Sequence, residues 1–211
     1  LTTDITPQAL RDPFRKSVFR VLIRGEGGIG KTSLACQFCR WAMDSQDSKR
    51  LTSHVMLPVL LEEDIGGTSL LEAARGQLRE LIEGQQPIPE DFFLALVRRQ
   101  RVILVVDRLS EMSTELRDQI DLSSPGFPFS ALIVTSRTAE DRLSNAVTIC
   151  PIRLEPDRVT FFLTTYLAQS GNLELFQDHE IHDSCAHLTR LVGDRDITPL
   201  LARLYVDQVI R

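Results

Sequence analysis

An α/β fold with a parallel sheet covered on both faces, running on into the start of a helical subdomain, is what this sequence predicts. Three observations carry the prediction. Short apolar runs bounded by turn residues read as strands, and segments of helical period alternate with them. That rhythm is the signature of parallel strands joined by helical crossovers. Beyond Pro156 the strand pattern stops and only helical periodicity continues.

Residues 1–16 are polar, with Pro7 and Pro13, and read as an entry arm. Val18–Arg24 (VFRVLIR) is a buried strand that ends in a glycine cluster. Lys31–Met43 spaces Leu34, Phe38 and Trp41 as a helix does. His54–Leu61 is a second strand. Ser69-Leu-Leu-Glu72 is a capping box opening a helix to about Glu83, which Pro87 and Pro89 separate from another over Glu90–Arg99. Val102–Val106 (VILVV) is the most strand-like run and ends at Asp107. Ser113–Ile120 is a short helix, Pro125–Pro128 a turn, and Ala131–Thr135 (ALIVT) and Ala146–Cys150 (AVTIC) complete five strands. Val159–Ser170, roughly Leu173–Val192 and Pro199–Arg211 are helical in period. The expected organisation is an arm over 1–16, an α/β domain over 17–153 and a partial helical subdomain over 154–211.

The 211 residues suffice for a full hydrophobic core, and 43% hydrophobic with 25% charged residues is ordinary for a folded domain. The longest uninterrupted apolar run, Phe92–Val97, falls far short of the ~20 residues a membrane span needs. A net charge of −5 gives no global electrostatic grip on nucleic acid or an anionic membrane. Four cysteines are too few for a disulfide scaffold, so a reducing, cytoplasmic compartment is expected. The chain begins with Leu1, which suggests a segment of something longer.

Gly25-Glu26-Gly27-Gly28-Ile29-Gly30-Lys31-Thr32 matches G-x-x-x-x-G-K-[ST], after a strand and opening a helix, and Ser33 follows. In such a loop the glycines let backbone N–H groups curl around phosphate oxygens. The lysine reaches the β- and γ-phosphates, the threonine hydroxyl is a Mg²⁺ ligand, and the helix points its positive end at the same anion. A triphosphate site needs a second acid at the end of a neighbouring strand, and Asp107 stands there. Glu111, four residues on, is a candidate to polarise the attacking water; its plainer reading is a solvent-facing carboxylate at a helix start. Arg137, after ALIVT and Ser136, stands where a γ-phosphate sensor would be, or is an exposed arginine. Neither N-K-x-D nor T-K-x-D occurs, so adenine is expected over guanine.

The ordered set GEGGIGKT, VILVVDRLSE, IVTSR and ITPLLA resembles the STAND class of P-loop ATPases, and within it the NACHT family, with NB-ARC proteins as close relatives. The resemblance spans about Val18 to Leu204. It implies a three-layer α/β/α sandwich with strand order 5-1-4-3-2. It also implies ATP or ADP and Mg²⁺ as ligands, with Lys31, Thr32, Asp107, Glu111 and Arg137 in the roles above and Pro199 against the base. Such proteins are nucleotide-gated switches, closed with ADP and oligomeric with ATP, linked to sensor and effector domains. Three departures stand out: Ser110 replaces a second acid, Ile197 replaces the glycine that opens the proline motif, and the arm has no Gly-Arg-Glu segment. The implied function is an ATP-binding, slowly hydrolysing switch module of a larger signalling protein. The alternative is a nucleotide-binding conformational module without significant turnover. A metabolic P-loop kinase would need an arginine-bearing lid, and no such insertion is visible.

Other features have plainer readings. Cys36-x-x-Cys39 is half a zinc pattern, but on a helix facing Leu34 and Phe38 it reads as packing. His179, His182, Cys185 and His187 lie among acids and read as a solvated helix. Arg98, Arg99 and Arg101 suit a helix C-terminus, with a trans-acting finger or partner patch as the alternative. Phe161, Phe162, Leu163, Tyr166 and Leu167 form an apolar stripe expected in the core.

Overall fold

The computed structural model describes Phe14 and residues 18–82, 86–122, 126–140, 143, 145–193 and 197–210. The expected entry arm therefore lies outside the described residues apart from Phe14, as do Glu83, Pro125 and Arg211. Two units are resolved by their internal contacts: residues 1–25 with 31–150, and residues 26–30 with 151–211.

The first unit is built on five parallel strands, β1 (Phe19–Arg24), β2 (Leu57–Leu61), β3 (Val102–Val106), β4 (Ala131–Ser136) and β5 (Val147–Ile149). Their order in space is β2-β3-β4-β1-β5, the order expected. Its helices are α1 (Lys31–Met43), α2 (Leu70–Leu81), α3 (Glu90–Arg98) and α4 (Thr114–Gln119). Every residue of β3 and β4 is buried. Alternate side chains point to opposite faces of a strand, so each central strand feeds two cores. Leu104, Val106, Leu132 and Val134 pack with Ala74 and Leu78 of α2 and Phe93 of α3. Ile103, Val105 and Ile133 pack with Ala35 and Phe38 of α1 and with Phe14. Helices on both faces give the three-layer α/β/α arrangement.

Local chemistry sets the helix limits. Ser69 caps α2 in a reciprocal box with Glu72, and Ser113 Oγ accepts from the Leu116 N–H to cap α4. The expected second strand begins at Leu57 rather than His54. Before that point the backbone is spent on loop bonds: Met56 N–H donates to Ala42 O and His54 O accepts from Thr52 Oγ. Pairing with β3 starts only when Leu57 N–H reaches Arg101 O at 2.7 Å. β2 is an edge strand, and its odd residues carry that pairing. Pro58 therefore turns its missing donor outward, where an incoming strand would need an N–H.

The second unit holds α5 (Pro156–Gln169), α6 (Asp178–Val192) and α7 (Pro199–Val209). Its core joins Val159, Leu163 and Leu167 to Ile181, Cys185, Leu188, Ala202 and Val206, residues recurring one helical turn apart. The expected helix from Leu173 is instead a 3₁₀ turn, Leu173–Leu175, followed by a fresh start at Asp178. Gln177 and Glu180 form a capping box that sets this second start. Ile197, at the place of the motif glycine, is buried and bridges antiparallel to Leu154.

The expected apolar stripe divides. Leu163 and Leu167 are core, whereas Phe161 is 75% exposed because it falls on the far side of the helix. Cys36 and Cys39 do not share a face either: Cys36 is exposed and Cys39 is buried. No group of three metal-ligating side chains occurs among the described residues. None of the described helices is long and apolar enough to cross a membrane.

Candidate nucleotide site

In the α/β unit the site grows from the C-terminal ends of the parallel strands, where turns into helices leave backbone and side chains open. Thr32, in the first turn of α1, donates its hydroxyl to Asp107 and lies 3.0 Å from each carboxylate oxygen. These residues are 75 positions apart in sequence, and the sheet brings them together. Lys31 is mostly buried and donates from Nζ to Gly25 O at 2.8 Å. Gly25 N–H donates in turn to Ser136 O, fixing the end of β1 to the end of β4.

Asp107 is almost fully buried, a costly position for a carboxylate without donors. Besides Thr32 it accepts from Thr135 Oγ at 2.5 Å, and the Arg108 guanidinium stands 3.7 Å away. Thr135 Oγ also accepts from the Arg108 N–H at 2.8 Å. Arg108 adopts a left-handed backbone with φ 57°, a conformation disfavoured outside glycine and met where neighbouring contacts enforce it.

Glu111 ends a 3₁₀ turn, Leu109–Glu111, and its Oε1 accepts from Arg137 at 2.8 Å. The Arg137 N–H donates to Ser110 Oγ at 3.1 Å. The two sequence candidates thus meet each other as an exposed ion pair. Ser33 is exposed on α1.

In the helical unit, which includes Glu26–Gly30, Gly28 and Gly30 adopt φ +77° and +95°. Those angles need glycine, and they turn the loop so that successive amides can face one anion. Pro199 opens α7 at its first turn behind the Thr198 cap, and the next amide, Leu200 N–H, donates to Gly28 O at 3.2 Å. Glu26 is gripped by both Nε and an Nη of Arg153. Gly27 is exposed and Ile29 buried.

The residues present fit a magnesium nucleotide. A hydroxyl and a buried carboxylate, both hard oxygen donors, already converge at Thr32 and Asp107. Two left-handed glycines shape the loop before Lys31. Sequence reasoning missed Thr135, Arg108 and Arg153. A polar residue closing an otherwise apolar strand was the one signal for Thr135; a left-handed arginine leaves none.

A family model described as the NACHT domain matches residues 20–156. Among solved structures the chain is similar to a chain from the "Structure of Drosophila ORC bound to DNA", with a TM-score of 0.53 and 15% identity. That likeness covers 97% of this chain and 52% of the other, so the chain spans about half its length, and it is a likeness of fold. No curated protein matches with significance.

Proposed function

Because this chain belongs to the NACHT domain family, a group of P-loop nucleotide-binding ATPase modules, we propose that it binds ATP and Mg²⁺, hydrolyses ATP slowly and acts as a cytoplasmic switch. The observation that supports this most strongly is the meeting of Thr32 with the buried Asp107.

Lys31 and the loop amides would neutralise phosphate charge, and Thr32 and Asp107 would hold the metal. Bound Mg²⁺ would supply further charge neutralisation on the phosphates. Hydrolysis forms a bond from water oxygen to the terminal phosphorus as the bond to the ADP oxygen breaks. Glu111 would orient that water and accept its proton once Arg137 turns from it toward the phosphate. Pro199 would lie against the adenine. Switching would then proceed through self-association within a larger signalling protein of the STAND class.

A second reading is a nucleotide-bound conformational module without significant turnover. The Glu111–Arg137 pair favours it, because a carboxylate held by a guanidinium is not free to orient a water, and Ser110 stands where an acid would assist.

Calorimetric titration with Mg-ATP, Mg-ADP and Mg-GTP tests the shared claim. Adenine-selective binding that Lys31→Ala abolishes is expected; undiminished binding in that variant would overturn the site. Glu111→Gln should leave binding intact and lower a measured ATPase rate only if the first reading holds.

A further inference from the structure

At the end of the sheet away from Asp107 and Arg137, Leu57 at the start of β2 and Arg101 just before β3 border an open groove of about 880 Å³. Met43, Val55, Leu57 and Leu96 line it, with Arg99 and Arg101 also in its wall. Met43, Val55 and Leu57 are each about two-fifths exposed, at 43%, 44% and 39%, a concentration of apolar surface that needs explaining.

The charge around this groove has one sign. Arg98, Arg99 and Arg101 are exposed, and no carboxylate lines the groove. Among the described residues none of the three forms an ion pair. The Arg101 guanidinium donates to Val55 O at 3.3 Å. Asp44, next to Met43 in sequence, is not among the lining residues, and its Oδ1 accepts from the Gln46 N–H. Arg98, in the last turn of α3, offsets the roughly half negative charge of that helix end. Arg99 and Arg101 then remain as surplus positive charge in a chain whose net charge is −5.

We infer that this groove docks an acidic amphipathic helix of a partner protein. Its apolar stripe would fill the space over Val55 and Leu57, and its flanking carboxylates would meet Arg99 and Arg101. Charge complementarity sets the sign of the partner, and the edge strand sets its form. Strand addition along β2 would lose a bond at Pro58, which has no donor, and this favours a helix laid in the groove. A phosphate-bearing partner would use the arginines but leave the apolar floor uncovered.

The test is fluorescence anisotropy of the whole chain with two synthetic helical peptides of about eighteen residues. Both carry the same leucine stripe; one is flanked by glutamates and the other by lysines. Saturable binding of the glutamate peptide is expected, weakening with salt and falling by about tenfold in R99E/R101E and in V55D. R99E alone, which leaves the Arg101–Val55 bond in place, should show part of that loss, with unchanged melting temperatures certifying the fold. Equal binding of both peptides, no saturable binding, or preferred binding of a single-stranded oligonucleotide would each overturn the inference. So would arginine-dependent self-association in sedimentation, which would make a second copy the occupant.

Discussion

Thr135 donates its hydroxyl to Asp107 Oδ1 at 2.5 Å, one residue beyond the point where Val134 of β4 pairs with Val106 of β3. The Thr135 hydroxyl oxygen in turn accepts from the Arg108 N–H, so one buried hydroxyl holds the carboxylate and the turn that follows it. Thr135→Val should leave the carboxylate and the amide short of a partner and cost about 1–3 kcal/mol of stability in urea denaturation. Mg-ATP affinity should fall with it. Thr135→Ser keeps the hydroxyl and should restore most of both; a serine variant as weak as the valine would show that the hydrogen bonds alone do not account for the effect.

Gly28 and Gly30 both sit at left-handed φ, but their surroundings differ. A Cβ on Gly28 would come within 3.0 Å of Leu200 Cβ, whereas nothing lies within 4 Å of one on Gly30. Gly28→Ala should therefore cost about 1–3 kcal/mol through strain and displacement of α7, and Gly30→Ala nearer 1 kcal/mol. Equal losses in denaturant melts would mean that the contact with Leu200 yields freely.

Burial pushes the Cys39 thiol up to about 12, with a smaller upward push from neighbouring Cys36 and a local backbone hydrogen bond opposing it. The folded chain then holds this proton at pH values where the unfolded chain, titrating near 9, has lost it. The contribution of Cys39 to stability is complete below pH 9 and declines between 9 and 12 by at most about 1.4 kcal/mol per pH unit. Cys39→Ala should remove that share of the alkaline slope in paired pH–denaturation curves. At pH 8 an alkylating agent should modify the exposed Cys36 well before Cys39.

Asp64 accepts from Ser113 Oγ at 2.7 Å and from the Ser113 N–H at 2.9 Å, and these bonds hold its carboxyl below the usual range. Ser113→Ala removes the larger cause and should raise the titration midpoint of Asp64, read by NMR. Because the folded value is depressed, the stabilising contribution is present above pH 3.8 and disappears as pH falls through the folded value.

The elements legible in the sequence were those encoded by neighbours. α1 and β3 begin and end where the glycine loop, the apolar run and the flanking charges put them, and the Ser69–Glu72 box fixes the start of α2. Such signals are local: a 3.6-residue stripe, a buried run, a glycine at positive φ, a side chain capping its own helix.

Tertiary structure decided what meets at the strand ends. That Thr135 faces Asp107, that Glu111 closes on Arg137 and that Arg153 grips Glu26 all follow from side chains meeting between distant segments. It also decided that β2 waits until Leu57, since pairing can start only where Arg101 O is within reach. The loop and its acid announce themselves by residue type at fixed positions. The partners that hold them are ordinary threonines and arginines, and they gain meaning from register and packing between segments far apart in the chain.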